Sequence, residues 1–191
     1  MLKLVAPPER FRALVERGDV LFHGSQRGDL ESLEPIRLST DTTKFGNQQA
    51  VYATSDPVWA TYFAILRRGK LSTANASLGR AGGDLFPRRY FFSLRRYDDE
   101  ERFGPGFLYV VPRTTFTCQK PLLGRIDTAQ WVSHIAVPML ERFAVTPDDF
   151  PFTHDVVTPR NREPLPVTLL RSVAARPSAG ARARSRTTQA R

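Results

Sequence analysis

Phe11, Leu14 and Val15 recur at i, i+3 and i+4, the spacing of one helix face, and Gly18 follows as a stop. This pattern predicts a helix over residues 8–17. Val20, Leu21 and Phe22 form a short run of strand formers that ends in His23-Gly24-Ser25. Residues 26–43 are polar and broken by Gly28 and Pro35, so they read mostly as loop. After the turn signal Phe45-Gly46-Asn47, residues 50–53 read as a second short strand. Ser55-Asp56-Pro57 then carries a helix start, because a side-chain oxygen can cap free N–H groups and proline suits the first turn. That helix is expected to run to about Arg68, with Trp59, Tyr62, Phe63 and Leu66 on one apolar face.

The second half of the chain is patterned differently. Residues 69–84 are small, polar and glycine-rich, with no period, and read as a mobile loop or an insertion. Strand candidates follow at residues 90–94, 107–111 and 114–118, at the start of 131–139, and at 167–170. Many short strands, with helices confined to the first third, predict an α+β fold and not a doubly wound sheet. No internal repeat is present.

Composition divides the chain further. Its 191 residues carry a formal net charge of +9, and residues 172–191 hold five arginines and no acid, which leaves about +4 for the rest. That basic, apolar-poor tail is expected to be disordered. It could touch nucleic acid or act only as a solubilising extension. The expected organisation is a helical segment over 1–18, one domain over 19–171 and the tail over 172–191. No apolar run reaches the roughly 18 residues that span a bilayer, and the N-terminus lacks a signal-peptide core, so a cytoplasmic protein without membrane contact is expected, as a monomer. Cys118 is the sole cysteine, which rules out an internal disulfide and a cysteine-rich metal site. The three histidines, His23, His134 and His154, lack metal-ligand spacing, and no metal is expected. Phosphate-binding glycine loops and the nucleophile elbow of hydrolases are absent as well.

One ordered constellation remains. A strand ends in His23-Gly24-Ser25; about thirty residues on, a glycine turn leads into Val51-Tyr52-Ala53-Thr54-Ser55-Asp56; a helix containing Tyr62 follows. This series resembles the poly(ADP-ribose) polymerase-like and RNA 2′-phosphotransferase-like branch of the ADP-ribosyltransferases, whose motif triad is His, Tyr and Glu or a substitute. The resemblance implies a split β-sheet core with flanking helices and NAD as co-substrate. It implies that His23 bonds the adenosine-side ribose, that Gly24 grips the nicotinamide amide through its backbone, and that the Ser25 hydroxyl completes that grip. Tyr52 and Tyr62 resemble the two aromatic walls of the nicotinamide site, where a flat cationic ring is held between ring faces.

The third triad position departs from the family. The best match to its glutamate is Gln130, followed by Trp131 and Val132. An amide can bond a ribose hydroxyl but supplies no full negative charge. Chain-elongating synthesis is therefore not expected. Single transfer to a protein or nucleic-acid acceptor, or a degenerate module that only binds NAD, ADP-ribose or RNA, both remain open. Asp127 and Glu141 are the alternative carboxylates, with Asp127 read first as a turn residue. Trp131 is expected in the core. Arg88-Arg89 and Arg95-Arg96 read as solvated strand ends or as phosphate ligands.

Overall fold

The structure is a computed structural model that describes residues 4–5, 8–35, 45–98 and 101–159. A short β1 (Leu4–Val5) and a 3-10 turn lead into α1 (Arg12–Arg17), which Gly18 ends in the left-handed region at φ 69°. Phe11 and Leu14 sink into the main core, so this segment is packed against the rest of the protein. The chain continues through β2 (Val20–Ser25), β3 (Ser32–Leu33), β4 (Val51–Thr54) and α2 (Pro57–Ile65). Apart from short 3-10 turns, the remaining described elements are strands: β5 (Leu71–Arg80), β6 (Arg88–Arg96), β7 (Gly106–Pro112), β8 (Thr117–Cys118), β9 (Ile126–Asp127), β10 (Gln130–Ser133), β11 (Val137–Pro138) and β12 (Glu141–Val145).

Among the described residues three antiparallel sheets result. The central one runs β12-β7-β2-β4-β10-β8, the second β1-β6-β5-β9, and β3 pairs with β11. Helices early in the chain and antiparallel strands after them make this an α+β protein, as the patterning predicts. On one face of the central sheet, Phe22, Leu108 and Val110 pack on α2, whose other side meets Tyr90, Phe92 and Leu94 of β6. On the opposite face, Leu21, Val51, Ala53 and Val111 close over Leu33, Phe116 and Val137. Because α2 is held between two sheets it is buried all round, not amphipathic, and eight of its nine residues are inaccessible.

Several expectations need correction. Most of residues 69–84 is strand and not loop: β5 pairs with β6 from Leu71↔Arg96 to Leu78↔Arg89. Its small polar side chains lack strand propensity, and its partner supplies what they do not. Asn75 Oδ1 accepts from Ser93 N–H at 3.0 Å, and Ser93 Oγ accepts from Ala74 N–H at 3.1 Å. The second helix stops at Ile65, not Arg68, because residues 102–104 take over the backbone groups around Ile65 and Arg67. Residues 114–118 split into a 3-10 turn and the two-residue β8. The candidate strand at 167–170 and the tail at 172–191 lie outside the described residues.

Arg88 is the largest departure. It is 0 % exposed, not a solvated strand end, whereas Arg89 faces solvent. Its Nη1 meets Asp127 Oδ2 at 2.7 Å, its Nη2 donates to the Asp127 carbonyl at 2.7 Å, and its Nε donates to Ser77 Oγ at 2.8 Å. Ser77 in turn donates to Asp56 Oδ2, which lies 3.6 Å from Arg88 Nε. Asp56 is the α2 N-cap, accepting from Val58 N–H and Trp59 N–H as its sequence position foretells. Burial pushes its carboxyl upward, against the pull of Arg88 and the Ser77 hydroxyl. Arg96, also read as a strand end, pairs with Asp98 at 2.6 Å. Among the described residues no helix is long and apolar enough to cross a membrane.

Candidate functional site

The central sheet forks between β2 and β4. β2 is registered with β7 over all its six residues and β4 with β10 over all its four, but β2 and β4 share the single pair Phe22↔Thr54. Ser55 N–H donates to the Ala129 carbonyl at 3.1 Å, which fixes the parity of the ladders. Residues 51 and 53 direct their backbone groups to β10, so Tyr52 and Thr54 direct theirs to β2. By the same alternation Phe22 and Gly24 face β4. Past Phe22↔Thr54 the ladder ends, and the N–H and C=O of Gly24 point into the fork.

His23 reaches across that gap. Its Nδ1 lies 2.7 Å from the Tyr52 carbonyl oxygen. A carbonyl only accepts, so Nδ1 carries a proton, and in the neutral ring Nε2 is an acceptor. Glycine is required at position 24 because α2 crosses directly over it. An added Cβ would stand 2.1 Å from the Ala60 carbonyl oxygen and 2.6 Å from Ala64 N. The Tyr52 ring is fixed by its hydroxyl, which accepts from Gln48 N–H at 2.8 Å and donates to the Gly46 carbonyl at 2.8 Å. Ser25 Oγ accepts from Arg27 N–H at 3.1 Å, closing a turn at the end of β2.

The side chains do not all share one surface. Leu21 and Ala53 belong to the cluster away from α2. Alternation therefore turns the His23 and Ser25 side chains to that face and the Tyr52 ring to the α2 face. His23 meets Tyr52 through the latter's backbone at the fork, not ring to ring. Gln130 stands opposite Thr54, and Val132 opposite Tyr52, so Gln130 shares the Tyr52 face. Trp131 faces the other way and packs against the second cluster, but it is only partly buried, under Arg113, and not in the core as expected.

Tyr62 is not in the fork. It is 0 % exposed, with Phe92 and Phe150 at centroid distances of 4.6 and 5.5 Å. Helical rotation carries the next residue outward instead. Phe63 is the one residue of α2 that is not buried, and it flanks the Ala60–Ala64 stripe that covers Gly24. Sequence reasoning missed it because the whole helix is apolar, and only its contacts on two sides distinguish one aromatic from its neighbour. The alternative carboxylates do not replace Gln130. Asp127 is bound to Arg88, and Glu141 lies on β12, beyond β7 from β2. Among the described residues no cluster of His, Cys, Asp or Glu has the makeup of a metal site.

What remains at the fork is a backbone donor and acceptor on Gly24, the His23 imidazole on one face of the sheet and the Tyr52 side chain on the other, with Gln130 beside Thr54 where the ladder is closed. A planar primary amide attached to a flat ring is complementary to such a set. No protein-family model, no curated protein and no solved structure matches the chain.

Proposed function

We propose that the chain binds NAD with its nicotinamide amide against Gly24 and transfers a single ADP-ribose to a macromolecular acceptor. The observation that carries this reading is the fork: one ladder pair, after which Gly24 offers N–H and C=O beside His23 and Tyr52. The His23 imidazole, oriented by the Tyr52 carbonyl, accepts from a ribose hydroxyl. Tyr52 and Phe63 flank the cationic ring, and Gln130 orients the hydroxyl of the reacting ribose. In the reaction, the bond between the ring nitrogen and the sugar carbon breaks, and its electron pair leaves with nicotinamide, neutralising the ring. A lone pair of the acceptor forms the new bond to that carbon, and the acceptor's proton passes to solvent.

The second reading, a module that binds NAD or ADP-ribose without transfer, is favoured by one observation: the position that would carry the negative charge is Gln130, while Asp127 is committed to Arg88. Titration calorimetry with NAD, together with chromatographic detection of released nicotinamide, separates the two. Transfer requires release that His23→Ala abolishes and that Gln130→Glu raises by about a hundredfold, the worth of one electrostatic contact in a transition state. Binding without release in both the parent and Gln130→Glu supports the module. No NAD binding at millimolar concentration overturns both.

A further inference from the structure

A second pocket, of about 210 Å³, opens at the other end of β2. Its walls are apolar: Val15 of α1, Val20 and Leu21 at the start of β2, and Leu85 from the β5–β6 connection. Gly24 lies three residues beyond Leu21, roughly 10 Å along the strand at about 3.3 Å per residue. The pocket is therefore separate from the fork and its argument is independent of NAD.

The polar groups at this pocket are donors. The guanidinium of Arg113 lies over the Trp131 ring at 4.4 Å and gives one N–H to the Gly18 carbonyl, at 2.9 Å. A guanidinium carries five N–H donors, so most of its capacity is unspent. The Trp131 ring under it lines the pocket, while its indole Nε1 is closed off from solvent. Ser55 adds a hydroxyl. Among the described residues no carboxylate lines the pocket, and the nearest acid in sequence to Gly18, Asp19, is paired with Arg17 at 3.1 Å.

We propose that this pocket binds a small monocarboxylate with an apolar body, its carboxylate paired with the Arg113 guanidinium over the Trp131 ring. Arginine presents a planar fork that matches a carboxylate. One cation suits one negative charge, and a phosphate dianion would be left half-neutralised among Val15, Leu21 and Leu85. The size fits a benzene ring with its carboxyl group, since an apolar cavity of about 150 Å³ accepts benzene alone.

Benzoate is the probe, titrated into the full chain at low ionic strength in the absence of NAD. The readout is the indole N–H resonance of each of the two tryptophans, Trp59 and Trp131. Benzoate should shift the Trp131 signal saturably and leave that of Trp59, packed against Phe92 in the main core, in place. Benzyl alcohol and benzylamine, of the same shape without the negative charge, should bind at least about tenfold more weakly, and Arg113→Gln should weaken benzoate by the same factor. The proposal is overturned if the Trp131 signal does not saturate at millimolar benzoate, if benzyl alcohol binds equally well, or if Arg113→Gln binds benzoate as the parent does.

Discussion

Arg88→Met removes the charge that joins the second sheet to the N-terminus of α2. The guanidinium is 0 % exposed and its hydrogen bonds reach Ser77 and Asp127. It also fills the space above Gly79, where an added Cβ would stand 2.7 Å from Nη1. Methionine restores most of the volume but none of the donors. Asp127 is about a quarter exposed and can be rehydrated; Asp56, at 0 %, cannot. Asp56 keeps the Ser77 hydroxyl and two helix N–H groups but loses its only nearby cation among the described residues. Breaking a buried pair on one side costs about 3–5 kcal/mol, and at about 2–4 °C per kcal/mol this predicts a fall in Tm of about 6–20 °C. The pH dependence has a definite sign. Burial already raises the Asp56 carboxyl, and losing Arg88 raises it further. A carboxyl raised in the folded state contributes stability below its unfolded pKa and loses it as pH rises toward the folded value. The gap between Arg88→Met and the parent should therefore be smallest near pH 4 and widen toward neutrality. Denaturant midpoints measured across that range test this. Adding Asp56→Asn keeps a capping side chain and removes the stranded charge, so the double variant should recover much of the loss. A loss under about 1 kcal/mol, or a double variant no more stable than Arg88→Met, would refute the account of a dry, coupled network.

Tyr62→Phe removes a buried hydroxyl that makes no well-formed hydrogen bond, its polar neighbour Asn75 being engaged with Ser93 N–H, so unfolding stability should stay level or rise by up to about 1–2 kcal/mol in denaturant titration, with NAD affinity unchanged. Phe63→Ala should do the reverse, lowering NAD affinity about tenfold in calorimetry while costing less than the roughly 3–5 kcal/mol of a fully buried phenylalanine. Gly24→Ala forces α2 off β2 and should cost at least about 1–3 kcal/mol in denaturant unfolding, with NAD binding lost. Burial raises the Tyr62 and Tyr90 phenols, so stability held below about pH 10 should fall above it as the unfolded tyrosines ionise, and thermal melts of Tyr62→Phe should show a shallower fall.

What the sequence made legible was local. The glycine stop after α1, the cap at Asp56 and Pro57, and the hydrophobic runs of β2, β6 and β7 each carry their signal within a few residues. So did the alternation that sends Trp131 to one face and Gln130 to the other. The misses are tertiary. β5 has no apolar pattern of its own and becomes a strand because the nine-residue β6 offers its edge beside it. Arg88 looks solvated until Asp56, Ser77 and Asp127, from three other parts of the chain, converge on it. Choosing between Tyr62 and Phe63 needed the knowledge that α2 has a sheet on each side. The fork itself is a missing ladder, and no run of residues announces that two strands will part after one pair.

That parting has a mechanical cause within the molecule. Were β2 and β4 to continue in register, Gly24 would pair with Tyr52, and the Tyr52 carbonyl would accept the Gly24 N–H in place of the His23 imidazole. Two constraints oppose this. The hydroxyl of Tyr52 is tied to the backbone of Gly46 and Gln48, which fixes one side chain of β4 to the turn before it. At its other end β4 runs directly into α2, whose cap Asp56 is held through Ser77 and Arg88 to the second sheet. α2 in turn presses on Gly24 through Ala60 and Ala64. Both strands at the fork are thus positioned from outside the central sheet, and the His23 ring satisfies the carbonyl that the missing ladder leaves exposed. The buried charge network and the candidate site are on this account one construction: the network fixes α2, α2 fixes Gly24 and carries Phe63, and the fork keeps its opening because neither strand is at liberty to close it.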